Sequence, residues 1–94
     1  MKIRWTKKAI KNLEQFERFI AQDKPDAAIE TVLNVIHAVE YLVDHPQLGR
    51  IGRIHGTREL IVSGLPVIVP YRIKDQYVEI LRVMHSTIKW PERL

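Results

Sequence analysis

The sequence predicts an α+β domain in the order β-α-α-β-β-β, with an antiparallel meander carrying a helical hairpin on one face. Three observations predict it. Apolar residues recur at helical spacing through the first half, a proline-centred break divides that half into two helices, and the second half turns to β-rich runs separated by turn residues. With 94 residues, 46% hydrophobic and 28% charged, the chain has the size and composition of a single small domain spanning 1–94.

Ile3-Arg4-Trp5 reads as a short opening strand. Thr6 then offers an N-cap hydroxyl, and Ala9, Ile10, Leu13, Phe16 and Ile20 repeat at helical spacing, predicting an amphipathic helix to about Gln22. Asp23-Lys24-Pro25-Asp26 stops that helix and starts another, because proline fits a first helical turn and aspartate favours its positive end. The second helix is expected to run to about Val43, burying Ile29, Val32, Leu33, Ile36, Val39 and Val43 as one stripe that Val35 and Leu42 widen. So short a turn between two helices makes an αα-hairpin.

Asp44-His45-Pro46 ends the second helix, and Gln47 to Gly56 has three glycines and no periodicity, the pattern of a loop. Strands are expected over Thr57–Val62, Val67–Ile73 and Tyr77–His85, joined by Ser63-Gly64-Leu65-Pro66 and Lys74-Asp75-Gln76. Turns this short force an antiparallel meander. Pro70 lies inside the middle run without a backbone donor, so a bulge or a local break in pairing is expected beside it.

Charge is distributed unevenly. Residues 1–47 hold seven Lys/Arg and seven Asp/Glu, whereas residues 48–94 hold eight Lys/Arg and four Asp/Glu, so the whole net charge of +4 lies in the second half. Six of those eight cations are arginines, whose planar forks bind phosphates and carboxylates in pairs of hydrogen bonds. A nucleic-acid or acidic-peptide partner fits this bias, and so does a solvated charged face. The absence of cysteine excludes a disulfide scaffold, a thiol nucleophile and a thiolate zinc site. Four scattered histidines without an H-E-x-x-H spacing and glycines without a phosphate-loop context give no metal and no cofactor. No run approaches signal-peptide or membrane-helix length, so a cytoplasmic protein with no membrane partner is expected.

Several segments together resemble one family. They are Ile3-Arg4-Trp5-Thr6 with Ala9 and Leu13, His45-Pro46-Gln47-Leu48-Gly49-Arg50, Gly56-Thr57-Arg58-Glu59-Leu60, Pro70-Tyr71-Arg72-Ile73, and Val78-Glu79-Ile80-Leu81-Arg82-Val83-Met84-His85. Their order and spacing resemble the RelE/ParE superfamily of bacterial type II toxin–antitoxin toxins over nearly the whole chain. The resemblance implies a small basic toxin that arrests growth unless neutralised by a cognate antitoxin, an acidic partner segment that folds on binding. It also implies that operator DNA is contacted only through the antitoxin. The target is either DNA gyrase, in ParE-type members, or the ribosome with its mRNA, in RelE-type nucleases. The Arg82-Val83-Met84-His85 ending resembles the ParE branch. No tyrosine follows the last strand, and Arg50 and Arg53 occupy the stretch where RelE nucleases carry lysines. The reading therefore leans to gyrase inhibition, with ribosome-dependent mRNA cleavage and a non-toxic binding module as alternatives.

Candidate site residues follow from chemistry and from the resemblance. Cleavage of RNA needs a base, an acid and cationic stabilisation of the phosphorane, and for a nuclease Arg58, Arg82 and His85 are the catalytic candidates. Three residues apart on one strand, Arg82 and His85 point to opposite faces unless a bulge intervenes. Arg50, Arg53, Arg72, Lys89 and Trp90 are the candidates for binding the target. The competing structural reading pairs the sheet arginines with Glu59 or Glu79 and folds Trp90 back over apolar surface.

Overall fold

The computed structural model describes residues 1–87 and 89–94. Its elements are β1 (Lys2–Trp5), α1 (Lys7–Ala21), α2 (Pro25–Glu40), a 3-10 turn (Tyr41–Val43), β2 (Arg50–Ile51), β3 (Arg58–Ile61), β4 (Val67–Lys74), β5 (Tyr77–Ile80) and β6 (Met84–His85). Thr6 starts α1 as predicted, its hydroxyl oxygen accepting from the Ala9 N–H at 3.2 Å. The same hydroxyl donates to the Ile80 carbonyl at 2.8 Å, tying the helix start to the end of β5. Pro25 and Asp26 occupy the first turn of α2.

The buried face of α2 differs from the predicted stripe. Ala28, Val35, Val39 and, past the helix, Leu42 are buried, while Ile29 and Leu33 stand 58% and 47% exposed. The apolar arc of this helix is wider than the surface that α1 and the sheet offer it, and packing selects one edge of the arc. The helix also ends at Glu40 rather than Val43, because its last residues tighten into the 3-10 turn common at helix ends.

The strands form one sheet in the order β1-β5-β4-β3-β2, with β6 pairing β4. β3, β4 and β5 make the expected antiparallel meander. β1 joins parallel to β5, Ile3 opposite Val78 and Trp5 opposite Ile80, so the sheet is mixed. The stretch read as a loop contains β2, which pairs Arg50 with Glu59 and Ile51 with Arg58. Two residues are too few to show a period.

The predicted Tyr77–His85 strand is broken in two. Leu81 and Arg82 both point their N–H groups at the Pro70 carbonyl, at 2.9 and 3.5 Å, and the register slips by one residue between the Tyr71–Ile80 and Ile68–Met84 pairs. This is the bulge expected beside Pro70. The N and C=O of one strand residue face the same neighbour, so the donor that proline lacks also faces the bulge, and the β3 side loses nothing. At the other end of β4, Asp75 and Gln76 both have positive φ, 51° and 70°, which makes the two-residue link to β5 a type I′ turn.

Alternation divides the sheet into two faces. Ile3, Trp5, Leu60, Val62, Val67, Val69, Tyr71, Val78, Ile80 and Val83 meet Ala9, Leu13, Phe16, Val35, Val39 and Leu42 in the core. Among the described residues the opposite face carries no helix. Tyr71 is fully buried; its hydroxyl donates to the Pro46 carbonyl at 2.7 Å and accepts from the Gly49 N–H at 2.8 Å. Gly49 is required there, since a Cβ would lie 2.6 Å from the tyrosine ring.

Candidate functional site

The helix-free face is organised by two buried carboxylates. Glu59 on β3 is 1% exposed and accepts from Nε and Nη2 of Arg50 at 3.0 and 2.8 Å, and from the backbone N–H, Nε and Nη2 of Arg53 at 2.8, 3.1 and 3.2 Å. Burial by itself would raise its pKa, but the hydrogen bonds from Arg53 and Arg50 outweigh burial and hold the carboxyl down to about 2. Glu79 on β5 is 9% exposed and lies between Arg72 on β4 and Arg4 on β1, accepting from the Nε of Arg72 and, at 3.5 Å, from Arg4. The hydrogen bond from Arg72 is the main cause that keeps its carboxyl below the usual range.

Aromatic rings fix two of these arginines. The Arg4 guanidinium lies 3.8 Å over the Tyr77 ring, and that of Arg53 lies 3.8 Å over the Trp90 ring. All four arginines remain about half exposed, 43–54% by side chain, so their carboxylates anchor them without hiding them. The resulting surface holds guanidinium groups at fixed positions facing solvent. Its chemistry is anion recognition.

The sequence-predicted residues do not share one place. Arg50, Arg53 and Trp90 come together around Glu59, and Arg72 joins the neighbouring Glu79 cluster. Arg58 turns to the other side, where it donates to the Gln47 and Gly49 carbonyls at 3.2 and 2.8 Å and braces the segment before β2. Arg82 lies in the bulge, its Nε buried with no hydrogen-bond partner among the described residues. Lys89 is exposed beyond β6. The Trp90 Nε1 is likewise buried and unpartnered among the described residues. Arg4 and Tyr77 belong to the site and escaped the sequence reading, although the in-out alternation of β1 and β5 marks both as outward.

His85 is on the helix side. Its ring lies 6.5 Å from Phe16, tilted by 35°, and its Nδ1 accepts from the Thr87 N–H at 3.2 Å. Together with Phe16, Phe19 and Val83 it lines an open groove of about 430 Å³ between α1 and β6. Among the described residues β6 pairs only with β4, which leaves its outer edge open along this groove. Arg58 and His85 lie on the same side of the sheet but flank different parts of β4, opposite Tyr71 and Val67. The bulge does not bring His85 onto the face of Arg50, Arg53 and Arg72, and no hydrogen bond or ion pair joins Arg58, Arg82 and His85 among the described residues. No described cluster of His, Cys, Asp or Glu is arranged to hold a metal, and no described helix is long and apolar enough to cross a membrane.

Residues 3–90 match the family model described as the ParE toxin of the type II toxin–antitoxin system parDE. The protein named as toxin Y4kP in Sinorhizobium fredii is 45% identical over 93 residues, covering 99% of this chain and 96% of that protein. Toxin RelE2 of Caulobacter vibrioides is 32% identical over 82 residues, 87% of this chain and 91% of that protein. Among solved structures, the chromosomal ParDE system of P. aeruginosa contains a chain with TM-score 0.84 and 27% identity, covering 90% of this chain and 95% of that one.

Proposed function

We propose that this chain, which belongs to the ParE toxin family of type II toxin–antitoxin systems, arrests growth by inhibiting DNA gyrase through binding rather than through RNA cleavage. The observation that carries the non-catalytic reading is the separation of His85 from the arginine face by the thickness of the sheet. Phosphodiester cleavage needs its acid and base within hydrogen-bond reach of the cations that stabilise the phosphorane. Here the arginines of the helix-free face have two carboxylates with depressed pKa values beside them, and the histidine is occupied in an apolar groove. Arg58 is committed to backbone carbonyls.

The cognate antitoxin is the partner that a toxin of this class requires. The groove between α1 and β6 suits one of its segments: Phe16, Phe19 and Val83 supply apolar contact, and the open β6 edge supplies backbone groups to an added strand or extended tail. An acidic antitoxin tail that orders in this groove would cover its apolar surface and complete the β6 edge. The toxin works in the cytoplasm, where gyrase is, and recognises the operator sequence only through the antitoxin.

A second reading, ribosome-dependent mRNA cleavage, is favoured by the relative that carries the name RelE2. Separate pulse-labelling with methionine and thymidine after controlled induction distinguishes them. Gyrase inhibition predicts that thymidine incorporation falls first. An earlier fall in methionine incorporation overturns the gyrase reading, and no fall in either marks a non-toxic binding module.

A further inference from the structure

The distribution of charge over the two layers carries an inference that does not depend on which target the toxin has. From the alternation of the strands, Lys2 and Arg4 on β1, Arg50 on β2, and Arg72 and Lys74 on β4 face away from the helices, and Arg53 reaches the same face through Glu59. All six are exposed. Glu59 and Glu79 are the carboxylates that the strands direct to that face, so these six cations and two carboxylates carry a net charge of +4. The helical layer is the reverse, since residues 7–44 hold five Lys/Arg against seven Asp/Glu. The domain is a charge dipole whose positive end is a pleated sheet surface.

We infer that this face, with Arg4, Arg50, Arg53 and Arg72 as its fixed contacts, binds the sugar-phosphate backbone of nucleic acid. Four features favour phosphate over an acidic peptide. Each arginine keeps at least one terminal nitrogen outside its ion pair among the described residues, since Arg50 and Arg53 give Glu59 only Nε and Nη2, Arg72 gives Glu79 its Nε, and Arg4 gives Nη1. The guanidinium planes are already immobilised by carboxylates and by the Tyr77 and Trp90 rings, which lowers the entropy lost on binding a rigid, repeating anion. Cations recur two residues apart along β4, about 7 Å, a step suited to successive phosphates of an extended strand. The face interleaves aromatic and basic side chains, the composition of single-strand binding surfaces. Glu59 and Glu79 are positioning residues: they hold the forks and, being themselves buried, do not repel the ligand.

Fluorescence anisotropy with a labelled mixed-sequence single-stranded DNA, using the full chain, tests this. Binding is expected at low salt, with log Kd rising against log salt at a slope of about 3 for four phosphate contacts. Lys2→Glu with Lys74→Glu, two exposed cations outside any ion pair among the described residues, is expected to weaken binding about tenfold while leaving the melting curve unchanged. Arg72→Ala should add to that loss. Lys7→Glu with Lys11→Glu, on α1, should have little effect. Equal weakening by the helix variants overturns the inference, because the attraction is then diffuse. Absence of binding at low salt overturns it, and so does competition by polyglutamate as effective per charge as unlabelled oligonucleotide, which would make the partner an acidic protein.

Discussion

Replacing Glu59 by glutamine removes one negative charge at the centre of five hydrogen bonds. The amide keeps one acceptor oxygen but turns an NH2 group towards guanidinium donors, so two arginines lose their counter-charge and part of their hydrogen bonding. A carboxyl whose pKa drops from 4.5 to about 2 stabilises the folded chain by about 3 kcal/mol when ionised. Arg50 and Arg53 are half exposed and turn to water when released, which lowers the expected cost to about 2 kcal/mol. For a domain of this size that is a fall in Tm of roughly 10 °C. The folded pKa lies below the unfolded value, so the stabilisation is complete above about pH 4.5 and is lost as pH falls towards 2. Urea denaturation of both proteins from neutral to acid pH is the assay. The gap between them should be full at neutral pH and close on acidification. A gap below about 0.5 kcal/mol at neutral pH, or one that does not narrow in acid, would refute the claim that ionised Glu59 organises this face.

Two further substitutions probe the frame beneath the site. Gln76→Gly relieves a side chain held at φ 70° in the β4–β5 turn and should stabilise the chain by about 0.5–1 kcal/mol, read as a higher urea midpoint. Tyr71→Phe leaves the Gly49 N–H and the Pro46 carbonyl without their buried partner and should cost about 1–3 kcal/mol, measured the same way; the segment before β2 should also exchange its amide hydrogens faster.

The elements whose cause is local were legible in the sequence. Thr6, Pro25 and Asp26 act within a turn of where they stand, and the β3–β4–β5 meander follows from turns too short for any other connection. Pro70 announced the bulge through a donor it does not have. What escaped is decided at a distance. β2 exists because β3 is there to pair with it, and the parallel β1–β5 contact joins residues about as far apart as the chain allows. The α2 stripe failed at Ile29 and Leu33 because periodicity shows which residues are apolar, not how much of that arc a neighbour covers. At the site, Arg50, Arg53 and Arg72 were visible as a basic bias. Pairing with Glu59 or Glu79 was expected of the strand arginines Arg58, Arg72 and Arg82; of these Arg72 makes it, whereas Arg50 and Arg53 reach Glu59 from a stretch read as a loop. Arg4 was invisible as a site residue, since its place depends on the parallel pairing of β1. The separation of His85 from the arginines needed the register on both sides of the bulge.

The parallel pairing of β1 with β5 also governs the order in which this protein can come into being. Arg4 meets Glu79 across 75 positions, so the first strand made during synthesis waits for one of the last before it has a neighbour. Closing so long a loop is slow compared with forming the α1–α2 hairpin, so the β1–β5 pairing should limit the folding rate. A nascent chain halted before β5 has its helices but no edge for β1, no partner for Arg4 and no tie for Thr6 at Ile80. The Glu79 half of the basic face is assembled from both ends of the chain, and a product interrupted before β5 lacks it.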